Sequence, residues 1–198
     1  QSACNETPLY EDLFGNGRKV LILGINSEYL AWLEPAANPT DPWTIHRVSG
    51  LNGAGSQRYS HGLGVGDLDG DGRNEITTTG GYYVMPKNPL ISSWTFVKAD
   101  FGPDCANMLS LKMIPSKRTR IYTTSAHARG VWEFFLDNSN EYKRTLIDQK
   151  ISQTHAAKWR KMGSSLYPNL ITGKRKWAHP PGVDVGSEEP SVLVRYES

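Results

Sequence analysis

Cysteine is nearly missing from these 198 residues: only Cys4 and Cys105 occur. Two cysteines cannot build a disulfide framework, and this pair lacks the close spacing of zinc-ligating cysteines. One bridge or two thiols both stay open from the count alone. No run of about 18 apolar residues occurs, so no helix of this chain could span a bilayer. Charge of one sign is also missing. Twenty-two Lys and Arg face 20 Asp and Glu, and the one cationic run is Lys174, Arg175 and Lys176. No nucleic-acid footprint is expected from that balance. The opening QSACNETP has neither the charged leader nor the apolar core of a targeting segment, although a leading Gln is what a signal peptidase can leave behind. Gly and Pro, 19 and 12 in number, interrupt the hydrophobic segments every few residues, which leaves little room for long amphipathic helices. The composition reads as mostly β.

What is present is a repeat. His61 to Tyr83 (HGLGVGDLDGDGRNEITTTGGYY) overlays Ala106 to Ala128 at an offset of 45, pairing Ile76, Thr78 and Thr79 with Ile121, Thr123 and Thr124. At an offset of 94 the template falls on His155 to Trp177, pairing His61 with His155. At minus 55 it places Asp12, Gly15, Asn16 and Gly17 under Asp67, Gly70, Asp71 and Gly72. Each unit runs strand, polar turn, strand, loop, then an aromatic-bearing strand: Tyr29 to Pro35, Tyr82 to Pro86, Gly130 to Phe135 and Ser191 to Glu197. Three units add a fourth strand, from Trp43, Trp94 and Glu141. Four antiparallel strands per unit of about 40 to 50 residues describe a blade. The expected fold is an all-β β-propeller with four blade-like repeats, about 8–50, 58–101, 105–148 and 153–198, in one domain over 1–198. The last unit stops without its fourth strand, so a larger propeller of about seven blades is favoured over a closed four-bladed ring. An irregular sandwich is the other alternative. The offsets put Cys4 and Cys105 before units that are not neighbours, which speaks against a direct bond.

The segment GDLDGDGRNE sets Asp67, Asp69 and Asp71 on alternate residues, with Gly70 and Gly72 letting the chain curl so that the carboxylates converge. Oxygen ligands at that spacing suit calcium, with Asn74 or Glu75 completing the shell. A solvated acidic turn without an ion is the plainer alternative. At these residues the chain resembles the FG-GAP or VCBS repeats of extracellular propellers, in which DxDGDG loops between the first two strands of a blade bind calcium. The resemblance implies one structural Ca²⁺ and secretion. The other loops depart from the motif: Phe14 and Asn16 stand in the first unit, Lys112, Ile114 and Ser116 in the third, Lys161, Gly163 and Ser165 in the fourth. Those three turns have lost the ligands and must be held in another way.

Blade geometry places strand starts and second return loops on one rim, opposite the acidic loop. That rim collects His61 and His155 at equivalent strand starts, Arg58 and Tyr59 just before, and Asn107 in the third unit. From return loops come Asn26, Tyr82, Tyr83, His127, Lys174, Arg175 and His179. Such a set suits a polar ligand site: imidazoles move protons or bind metal, and cations hold an oxyanion. Tyr82 joins His61, His127, His155 and His179 as a catalytic candidate; Arg58, Tyr59, Asn107, Lys174, Arg175 and Trp177 are candidates for substrate binding. His46 sits on an outer strand and is read as structural. The TGKRKWAH segment, followed by the insertion PPGVDVGSEEP, resembles a subgroup similar to the propeller part of fungal aldos-2-ulose dehydratases. That implies a sugar-derived ligand and a second divalent cation at the channel mouth. The expected function is a secreted carbon–oxygen lyase acting on a sugar derivative. A carbohydrate-binding lectin and a calcium-braced adhesion module, completed by further blades or not, are the alternatives, with no nucleic-acid or membrane partner.

Overall fold

A computed structural model describes residues 2–91, 93–102, 105–114, 118–176, 179 and 182–197. These residues form fifteen strands and no helix. The first sheet is an antiparallel meander of β1 (Leu9–Glu11), β2 (Val20–Ile25), β3 (Tyr29–Glu34) and β4 (Thr44–Arg47), in that spatial order. Next come β5 (Gly64–Gly66), β6 (Glu75–Thr78), β7 (Gly81–Val84) and β8 (Thr95–Lys98), then β9 (Cys105–Lys112), β10 (Thr119–Ser125), β11 (Arg129–Leu136) and β12 (Tyr142–Ser152). The two meanders fuse into one curled eight-stranded sheet through a short parallel pairing, Gly64 against Met108 and Val65 against Leu109. Gly64 is needed at that seam, because a Cβ there would run into the Met108 carbonyl oxygen and the Thr77 hydroxyl. A three-stranded sheet of β13 (Ala157–Arg160), β14 (Asn169–Lys174) and β15 (Val192–Tyr196) ends the chain described. The fold is all-β and compatible with a β-propeller-like arrangement.

Apolar clusters lie between the faces of successive meanders, as they must when each sheet has two faces to cover. Ile22, Leu30 and Trp32 of the first sheet pack with Leu63, Ile76 and Met85. Leu68 packs with Phe101, Met108, Ile121 and Phe134. Val131 and Ile151 meet Ala157 and Leu170 of the last sheet. The first strands of all four meanders contribute to one cavity of about 360 Å³, through Leu9, Val65, Leu109 and Trp159. Across the chain ends, Lys158 Nζ lies 3.4 Å from Glu11 Oε1. No disulfide joins Cys4 and Cys105; their thiols donate to the carbonyls of Ser56 and Phe101.

Candidate functional site

Four stretches far apart in sequence meet just before β5 and β13. The N-terminal segment is laced to the loop that precedes β5: Glu6 N donates to Ser60 O at 3.0 Å and Tyr59 N to Cys4 O at 2.7 Å. That lacing carries the Glu6 carboxylate to His61. The approach to His155 is tied to the β10–β11 turn in the same manner, with Gln153 N on Ala128 O at 3.2 Å and Thr154 N on Ser125 O at 3.0 Å. His127 occupies that turn.

The result is a compact donor set. His61 Nε2 lies 3.2 Å from His155 Nε2, and Glu6 Oε2 lies 3.2 Å from the first and 3.8 Å from the second. The ring centres of His61, His127 and His155 are separated by 5.0, 5.0 and 4.8 Å, with every pair steeply inclined. One ligand atom from each of Glu6, His61, His127 and His155 falls within 4.8 Å of the others. A tetrahedral ion with ligands at about 2.0–2.1 Å spaces its ligand atoms by about 3.3 Å and its imidazole centres by about 5 Å. The distances here match that pattern, and three nitrogens with one carboxylate suit a borderline-soft divalent metal.

The electrostatics point the same way. Burial, reinforced by Arg175 and the other imidazoles, pushes the His155 imidazole down to about 3. Burial also lowers His61, with Glu6 pulling in the opposite direction. His155 is therefore neutral at neutral pH and keeps one ring nitrogen free to act as a ligand or acceptor. The Arg175 guanidinium donates to His155 Nε2 at 2.9 Å. Asp184 completes the surroundings: its Oδ2 accepts from His179 Nδ1 at 2.8 Å, and its Oδ1 lies 3.4 Å from His127 Nδ1. Burial works upward on the Asp184 carboxyl, but the bond and charge of His179 and the nearby His127 outweigh it and hold it low.

The other expected site residues have the following contacts. Lys174 is buried, and its ammonium donates to the carbonyls of Arg175 and Glu189, each at 3.0 Å, so it shores up the loop from within. Tyr82 lies on β7, edge-on to Tyr142, and its phenol is pushed up by burial and then by Glu75 and Asp69. That puts Tyr82 on the acidic-loop side of the sheet. The Arg58 guanidinium stacks over Tyr59 at 4.7 Å, and Asn107 lies on β9 with its carbonyl accepting from the Thr123 hydroxyl. Trp177 and Ser116 lie outside the described residues. His46 stacks on Trp32 at 3.9 Å and pairs with Glu34, a structural arrangement on β4. Glu6 and Asp184 escaped the sequence reading. No motif marks Glu6; Asp184 stands in the insertion that reading singled out, but its spacing to the histidines carries no local signature.

In the acidic loop, Asp67 Oδ1 accepts from Gly70 N at 2.7 Å, Asp69 Oδ1 from Asp71 N at 3.0 Å and Asp71 Oδ1 from Arg73 N at 2.8 Å. Gly70 and Gly72 take φ of +83° and +90°, the curl that glycine permits. Asp67, Asp69 and Asp71 each offer an oxygen within 4.8 Å of the others. Glu75 is fully buried; its Oε2 accepts from Leu68 N at 2.7 Å while Oε1 has no partner. Burial, aided by the three aspartates and opposed by the Leu68 bond, pushes its carboxyl up to about 7. The three aspartate oxygens fit a hard cation, while Glu75 is not among the oxygens that converge with them. Asn74 instead donates its amide to the carbonyls of Asp12 and Leu13. Lys112 Nζ sits 3.0 Å from Asp67 Oδ2. The equivalent turns of the first and fourth units are held without carboxylate clusters: Asp12 caps Asn16 N and Gly17 N, and Lys161 Nζ fills the fourth turn on the carbonyls of Ser165 and Leu166.

No family model and no curated protein matches this chain.

Proposed function

We propose that the chain is a secreted, carbohydrate-active β-propeller whose histidine centre eliminates water or an alkoxide from a sugar derivative. The carrying observation is the convergence of Glu6, His61, His127 and His155 within 4.8 Å, built from residues up to 149 positions apart. In this reading each meander is a blade of a larger ring of about seven, β1, β5, β9 and β13 line its channel, and the centre sits at one mouth. The resemblance of the TGKRKWAH segment and its insertion to dehydratase propellers supports the sugar-derived substrate.

Glu6, His61, His127 and His155 would hold a divalent ion of the zinc class, which supplies Lewis acidity toward a carbonyl oxygen when bound. The chain's own groups do the rest. Arg175 orients an anionic oxygen of the substrate through its planar donors. His179 is the most exposed imidazole of the group and is backed by Asp184, so it accepts the proton from the carbon beside the carbonyl and returns it to the departing oxygen. The acidic loop would hold a structural calcium that braces the turn between β5 and β6.

Incubating the protein with aldos-2-uloses and with uronides, while following ultraviolet absorbance, tests this reading. A conjugated product that forms with zinc and stops after chelation supports it. Sugar binding without product favours a lectin, and neither binding nor product overturns the carbohydrate reading.

A further inference from the structure

We infer that Asp184 is the positioning carboxylate of the histidine centre: it fixes His127 with Nδ1 toward the loop and Nε2 toward Glu6, His61 and His155. The inference rests on reading those four residues as an ion-holding centre. An imidazole has two nitrogens, and a metal ligand with the wrong tautomer or a rotating ring is a poor one. A carboxylate on the far nitrogen fixes both and strengthens the near lone pair.

Asp184 is built for that task. It is 9% exposed, and no Lys or Arg among the described residues forms an ion pair with it. Its two oxygens are divided between two imidazoles, Oδ2 on His179 Nδ1 at 2.8 Å and Oδ1 at 3.4 Å from His127 Nδ1. The longer contact falls short of a hydrogen bond, leaving His127 Nδ1 buried and unpartnered; an ion held on Nε2 would polarise the Nδ1–H and draw it toward the carboxylate. The loop bearing Asp184 is anchored on both sides. Ser187 N donates to Asp184 O at 3.2 Å, Gln153 Nε2 to Val185 O at 3.3 Å, and Arg129 pairs with Glu189. Gln153 and Arg129 flank the stretches that carry His155 and His127, so the carboxylate is registered against the rings it orients.

His127, His179 and Asp184 also place one ligand atom each within 4.8 Å of one another. Used as a second ion site, they would take His127 away from the first. Asp184 Oδ2 accepts from His179 Nδ1, and Oδ1 faces the buried His127 Nδ1, which has no hydrogen-bond partner, so the carboxylate is placed to receive a second N–H there.

The test is zinc titration by calorimetry in saturating calcium, which occupies the acidic loop, with the full chain, Asp184→Asn, His61→Ala and His179→Ala. Wild type is expected to take one zinc, His61→Ala to lose it, and Asp184→Asn to keep the stoichiometry with affinity about 10- to 100-fold weaker. Long-range nitrogen NMR of the metal-free protein supplies a readout that needs no ion: His127 carries its proton on Nδ1 in wild type and loses that preference in Asp184→Ala. Circular dichroism verifies the fold of each variant. Tight wild-type binding left unchanged by Asp184→Asn overturns the role of Asp184 alone. Two zinc ions, the second lost in both His179→Ala and Asp184→Asn, overturn it in favour of a separate site. No zinc uptake by wild type brings down the centre and this inference together, whatever the sugar assay gives.

Discussion

His61 and His155 stand 94 residues apart in sequence and 3.2 Å apart at their Nε2 atoms. Both precede the first strand of a meander, and the same repeat offset that pairs them in sequence brings them to one place in the structure. One of the two nitrogens donates to the other when their tautomers differ, and that single bond accounts for the pair but not for the groups around it. With Glu6 on the third side, the contact makes sense as a preformed donor set.

Replacing either of these histidines by alanine removes a proposed ligand. His61→Ala and His155→Ala should each reduce sugar turnover by at least about 100-fold and empty the centre of zinc. His46→Ala should leave both unchanged while lowering the melting temperature, since it loses the stack on Trp32. Metal content and turnover, measured on the same three variants, check this directly.

Arg175 donates at 2.9 Å to the His155 nitrogen that an ion would use, so guanidinium and ion compete for one lone pair. Arg175→Met should tighten zinc binding by about tenfold, as removal of a nearby like charge does. It should also raise KM for an anionic sugar. Unchanged zinc affinity would place Arg175 outside the centre.

The Glu75 carboxyl, held near 7 against an ordinary 4.5, retains its proton more tightly in the folded chain than in the unfolded one. Between those values the folded state binds more protons, so stability falls as pH rises from about 4.5 and levels off above about 7. Calcium should flatten that slope by favouring the ionised carboxylate, and Glu75→Gln should abolish it. Melting temperatures across this range, with and without calcium, give the sign.

Lys112 occupies the third unit's equivalent of Asp67 and reaches back to Asp67 Oδ2 at 3.0 Å. An ammonium on a ligand oxygen disfavours a second cation. Lys112→Met should therefore bind calcium more tightly than wild type, by about tenfold, and a titration showing weaker binding would mean that Lys112 shapes the loop rather than competing for it.

Much of the strand pattern is readable without coordinates, because alternation and aromatic spacing mark β3, β7, β11 and β15 within a residue or two. The repeat offset pairs His61 with His155, and the expected blade geometry adds His127 and His179 from return loops, so the gathering of the four imidazoles is readable in the sequence. Glu6 is different. It reaches the histidines through backbone bonds between the N-terminal segment and the residue 55–60 loop, pairings 52 to 55 residues long that no local pattern encodes. Tyr82 is a related case: the sequence puts it at the junction of return loop and strand, and because β7 already begins at Gly81 it is a strand residue whose ring packs against Tyr142. Lys174 misled through chemistry, because a cation in a basic run reads as solvent-facing, whereas two carbonyls hold it inside.

The most direct measurement is the zinc-edge anomalous signal from a crystal of the full chain grown with zinc. The account predicts one strong peak about 2.0–2.1 Å from Glu6 and from the imidazole nitrogens of His61, His127 and His155. A peak at another place, or none beside those four residues, would contradict it.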